Sequence, residues 1–73
     1  MRDYHINVFW SEEDECYVAD IPDLAPCSAV GGTPEEALAE VLVAKAAWLE
    51  SALAHGDPIP EPRYRPAPVR AAG

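Results

Sequence analysis

Between Tyr4 and Trp10 apolar and polar positions alternate, with Tyr4, Ile6, Val8 and Trp10 on one face and His5, Asn7 and Phe9 on the other. Period two over seven residues rich in β-branched and aromatic types predicts a strand. Ser11 to Glu15 (SEEDE) is a polar, acidic connector to a second alternating run, Cys16 to Asp20. The two runs are close enough in sequence to form a hairpin. Pro22 and Pro26 bracket a loop, IPDLAP, that no central strand tolerates, because proline cannot donate to a sheet ladder. Cys27 to Val30 predicts a short third strand, ended by Gly31–Gly32.

The period then changes to that of a helix. Thr33 is placed to cap it, Pro34 fits the first helical position, and Glu36 stands three residues after the cap, the spacing of a capping box. The helix is predicted to run to about Ala54, with Gly56 as its left-handed terminator. Leu38, Val41, Leu42, Leu49, Ala52 and Leu53 share the spacing of a core-facing stripe, with Trp48 on its flank. Lys45 interrupts that stripe and is expected to reach out to a carboxylate or to water. Ala39, Val43, Ala46 and Ala47 make the opposite side unusually apolar. A helix apolar on more than one side needs more than one neighbour, so these four residues are the expected self-association surface of a homo-oligomer, dimer or tetramer.

These elements predict an α+β fold: a three-stranded antiparallel sheet in the order β-β-β-α, with one long helix packed across it. Residues 1–62 form the domain. Residues 63–73 are a Pro- and Arg-containing tail, extended or disordered, in which Tyr64 to Val69 offers at most a short fourth strand. The tail holds Arg63, Arg65 and Arg70, three of the five basic residues.

Size and charge narrow the function. A chain of 73 residues is a single small domain, whose core supplies about 3–5 kcal/mol and which leans on a staple or a partner. Thirteen acidic against five basic side chains give a formal charge of −8. That balance argues against direct DNA or RNA binding, where affinity comes from Lys and Arg neutralising phosphates. It suits a basic partner, whose encounter a complementary field accelerates. The N-terminus lacks the apolar run of a signal peptide, and Val41 to Leu49 is far short of a membrane span. The cytoplasm is therefore expected, with Cys16 and Cys27 reduced.

Three phrases in fixed order, YVADIPDLAPC (Tyr17 to Cys27), GTPEEAL (Gly32 to Leu38) and GDPIPEP (Gly56 to Pro62), resemble the N-terminal domain of the HicB family of antitoxins. Their members carry a phrase close to Pro-Asp-Leu-Pro-Gly-Cys, a Gly-Asp-Thr-x-Glu-Glu-Ala helix start, and an ending similar to Gly-x-Pro-Ile-Pro. The likeness covers about residues 4 to 62. It departs in Ala25-Pro26 before the cysteine and in Gly31, which shifts the glycine loop by one residue, and the DNA-binding domain into which many relatives continue is not expected here.

The resemblance implies a partial RNase H-like sheet-and-helix fold. It also implies a non-enzymatic protein that binds and neutralises a small, basic, RNA-cleaving toxin of the HicA type by covering its catalytic histidine. On charge, the docking residues expected here are Glu12, Glu13, Asp14, Glu15, Asp20 and Asp23, with Trp10 as an anchor because Trp is enriched at binding hot spots. The alternative is a stand-alone homo-oligomeric interaction domain with no toxin partner. A hydrolase reading is weaker: two-metal chemistry needs several carboxylates converging from rigid elements, and Glu12 to Asp14 lie in a connector. Cys16, Cys27, His5 and His55 lack the spacing of a zinc site, and no third group orients a Cys–His pair. No metal, cofactor or catalytic residue is expected.

Overall fold

A computed structural model describes residues 3–24 and 26–64. Three strands, β1 (Asn7–Ser11), β2 (Cys16–Asp20) and β3 (Ser28–Gly31), are followed by one helix, α1 (Pro34–His55). The sheet is antiparallel in the order β1-β2-β3. Its register pairs Val8 with Ala19 and Trp10 with Tyr17, then Tyr17 with Gly31 and Ala19 with Ala29. The α+β architecture expected from the alternation is the one observed. Residues beyond Tyr64, where a fourth strand was expected, lie outside the described residues.

β1 is shorter than its alternation suggests. β2 ends at Asp20 and pairs back only to Asn7, because Pro22–Leu24 turns into a short 3-10 helix. Among the described residues Tyr4 and Ile6 have no strand partner, yet both still pack on the core. The turn is itself core material. Ile21 and Leu24 are fully buried, and with Val41 they are the largest side chains sealed from solvent. The Leu24 N–H donates to the Ile21 carbonyl (3.1 Å) and the Ile21 N–H to the Cys27 carbonyl (3.0 Å), closing the loop on itself.

The helix starts and stops where its punctuation places it. The Thr33 hydroxyl accepts from the Glu36 N–H (3.1 Å), satisfying a donor that an α-helix leaves orphaned. The Glu36 carboxylate reaches back to the Gly32 N–H (3.0 Å), one residue earlier than a capping box would have it. At the other end Gly56 adopts φ 70°, and the Gly56 and Asp57 N–H groups donate to the Leu53 (3.3 Å) and Ala52 (2.8 Å) carbonyls. This is the paired bonding of a Schellman termination.

The buried side of α1 corrects the expected stripe. Ala37, Val41 and Ala52 are buried, and Ala44, Trp48 and Leu49 pack partly against the core, whereas Leu38, Leu42 and Leu53 are exposed. The cause is close approach. The start of the helix lies directly on Gly31, where a Cβ would stand 2.5 Å from the Ala37 N and 2.7 Å from the Glu36 Cβ. At that separation small residues face the sheet, and the leucines rotate to the flank. Lys45, on the same flank, pairs with Asp3 at 2.5 Å, as its place in an apolar row requires.

Candidate functional site

The carboxylates singled out by charge separate into two groups. Ser11 pairs with Cys16 across the hairpin, so Glu12, Glu13, Asp14 and Glu15 form the turn itself, all exposed. Asp20 and Asp23 lie at the opposite end of β2, about 13 Å away along a strand rising roughly 3.3 Å per residue.

The turn is organised by Ser11. Its hydroxyl donates to the Asp14 carboxylate (3.0 Å) and accepts from the Asp14 N–H (3.3 Å). Glu15 follows with φ 51°, a left-handed conformation that disfavours residues carrying a Cβ. Four consecutive carboxylates are thus held at one pole of the sheet, and the ion pair found among the described residues, Lys45 with Asp3, lies elsewhere. Trp10 adjoins the turn, stacked edge-on against Tyr17 (5.1 Å) and 47% exposed.

The other two carboxylates have different surroundings. Asp23 accepts from the Arg63 (3.0 Å) and Tyr64 (2.9 Å) N–H groups. It therefore ties down the chain that returns from α1, which sequence reasoning read as surface charge. The Tyr4 hydroxyl donates to the Pro60 carbonyl and the His5 ring meets Tyr64 at 4.9 Å, so the tie has three points. Asp20 is half-buried, with one carboxylate oxygen inaccessible and unpartnered. It lies in register with Asn7 and Ser28, and Asn7 bonds His5 (2.7 Å).

Among the described residues no three His, Cys, Asp or Glu side chains come together as metal ligands. Cys16 is half-buried and Cys27 buried, both free, and burial pushes the Cys27 thiol above its ordinary pKa. A thiol disfavoured as thiolate is a poor nucleophile.

The residues expected for self-association, Ala39, Val43, Ala46 and Ala47, are all exposed on α1, Val43 at 66%. Among the described residues no helix is long and apolar enough to cross a membrane.

The family model described as the HicB-like antitoxin of bacterial toxin–antitoxin systems matches residues 4–67. The chain is also 46% identical over 44 residues to the UPF0150 protein ssl0259 of Synechocystis sp.. That match spans 60% of this chain and 60% of the relative's length. No solved structure matches.

Proposed function

We propose, from the premise that this chain belongs to the HicB-like antitoxin family, that it neutralises a small basic toxin of the HicA type without catalysis of its own. The observation that carries this reading is the exposed Glu12–Glu15 turn. It presents consecutive carboxylates at one pole of a rigid hairpin, where a cationic partner meets them with little desolvation. Opposite fields of this kind accelerate encounter and reject wrong partners. Asp23 is committed to holding the returning chain and Asp20 is half-buried, so the steering surface is the turn rather than all six carboxylates.

In this reading the protein works in the cytoplasm with both thiols reduced, and a net charge of −8 keeps it off nucleic acid. Replacing Glu12, Glu13 and Asp14 together by lysine tests it. Capture of the toxin encoded beside the gene slows, its salt dependence flattens, and growth rescue on co-expression weakens. Unchanged association kinetics would remove the turn from the mechanism, and a neighbouring toxin that neither binds the native protein nor is silenced by it would refute the antitoxin reading. The exposed apolar side of α1 around Val43 favours a second reading, a homo-oligomeric interaction domain without a toxin, which a protein that assembles but has no toxic neighbour would support.

A further inference from the structure

A groove runs along one side of the second half of α1. It lies between the Ala44–Ala47–Ser51 flank of the helix and the Pro26–Ser28 segment, and it ends at Asp57 and Pro58, just past the helix terminus. Lys45, Leu49 and the returning segment Ile59 to Pro62 border the opposite flank. The groove holds about 720 Å³, within the about 300–1,000 Å³ of sites that take small ligands. Trp48 stands in its wall, half-buried, and Cys27 is buried at its floor.

The charge in this groove is of one sign. Asp57 is exposed, and among the described residues its carboxylate has neither a hydrogen-bond partner nor an ion pair. The Asp57 N–H donates to the Ala52 carbonyl (2.8 Å), which fixes the residue against the helix end while leaving its side chain uncommitted. The carbonyls of the last turn add the partial negative charge of a helix C-terminus. Nearby cations among the described residues are engaged elsewhere: Lys45 pairs with Asp3 on the opposite flank, and the His55 ring bonds the Ser51 carbonyl of its own helix (2.8 Å). An anion would be repelled here, and one carboxylate beside the Ser28 and Ser51 hydroxyls is too small a donor set for a metal ion. An aromatic wall with a carboxylate at its end suits a flat cation rich in N–H donors. Guanidinium fits that description: it stacks on indole, pairs with a carboxylate through two parallel hydrogen bonds, and loses its hydration more readily than ammonium.

We propose that this groove seats an arginine side chain of the protein's basic partner, with the guanidinium against Trp48 and paired with Asp57; that the partner is basic rests on the antitoxin reading. The seat and the acidic turn lie at opposite ends of the sheet. Gly31, paired with Tyr17 near the turn, meets the start of α1, whereas Ser28, paired with Asp20, borders its second half. Their roles therefore divide. Exposed charges at a rim set the rate of encounter, and a hydrogen-bonded charge pair in a groove sets the rate of release.

Solution NMR of the native chain with N-acetyl-arginine methylamide at millimolar concentration tests the seat without a toxin. The Trp48 indole N–H resonance should move saturably while that of Trp10 stays in place. The citrulline analogue, which keeps the shape without the charge, should move neither. Asp57→Asn should weaken the binding about tenfold, as for the weaker hydrogen bonds to a charged group. Ser51→Leu, which fills the groove from an exposed helical position, should abolish it with the helical circular-dichroism signal unchanged. With the toxin encoded beside the gene, both variants should speed dissociation and leave association unchanged, the reverse of lysine replacements in the turn. Equal shifts with arginine and citrulline, or toxin release unchanged in both variants, would overturn the seat. Probe binding that appears only after Arg65→Gln and Arg70→Gln would also overturn it, since the groove would then belong to the chain's own arginines. A native chain that binds the arginine probe but no neighbouring toxin would keep the guanidinium seat and refute the antitoxin reading instead.

Discussion

Gly31→Ala places the strongest strain this fold offers for one methyl group. The added carbon would lie 2.5 Å from the Ala37 N, 2.7 Å from the Glu36 Cβ and 2.8 Å from the Glu36 carbonyl carbon. Two of those three atoms are backbone, so no rotamer change relieves the clash. To restore ordinary contact near 3.5 Å the first turn of α1 must retreat by roughly 0.5–1 Å, and overpacking of that kind costs about 1–3 kcal/mol. The retreat also opens the contact of Ala37, fully buried, with the core. In a domain of this size 1 kcal/mol corresponds to about 4–8 °C, so the midpoint of thermal unfolding should fall by roughly 8–16 °C for a 2 kcal/mol loss. Gly32→Ala is the control. Its Cβ would meet just the Glu36 Oε2, at 3.4 Å, and the melting point should stay close to native. Differential scanning calorimetry of the two variants checks the difference; equal midpoints would refute the claim that helix-to-strand approach at Gly31 sets the packing.

Glu15→Gly should stabilise the hairpin by about 1 kcal/mol, because glycine relieves the left-handed backbone at φ 51°, while slowing toxin capture by removing a charge; chemical denaturation and association kinetics read the two effects separately. The Lys45 ammonium, and then the Tyr4 N–H, hold the Asp3 carboxyl below its ordinary pKa. Its contribution to stability is therefore complete above the unfolded aspartate value and is lost as pH falls through the lower, folded one. Lys45→Met should flatten that acid limb in urea titrations, by a small amount since Asp3 is exposed; an unchanged limb would show that the pair contributes nothing. In native protein Cys16 should react promptly with a maleimide while Cys27, buried and raised in pKa, reacts at the rate of unfolding, a difference that mass spectrometry resolves over time.

The parts of the fold most legible in the sequence were those set by local chemistry. Thr33, Pro34 and Gly56 bound α1 because caps act within a few residues of themselves, and the β1–β2 hairpin follows from two alternating runs separated by an acidic turn. What escaped was set by distance in sequence. Leu38, Leu42 and Leu53 have helical spacing as good as that of Ala37 and Val41, and just the approach of Gly31 decides which row faces the sheet. Ile21 and Leu24 sit among prolines and polar residues, so neither period marked them as core. Their signal was the presence of two large aliphatic residues in a conformationally fixed turn. Asp23 counted as surface charge because its partners, the Arg63 and Tyr64 N–H groups, lie 40 and 41 residues downstream and backbone donors leave no trace in side-chain composition. Of the acidic surface, the contiguous turn was readable, and its separation from Asp20 and Asp23 needed the register.

The clamp of Asp23 on the Arg63 and Tyr64 amides also divides the molecule into two poles that can be perturbed one at a time. Asp23→Ala should loosen the returning segment while leaving the electronegative hairpin at the far pole intact. Cargo inserted between Glu13 and Asp14 should therefore block capture, whereas release of the clamp should cost thermal stability first.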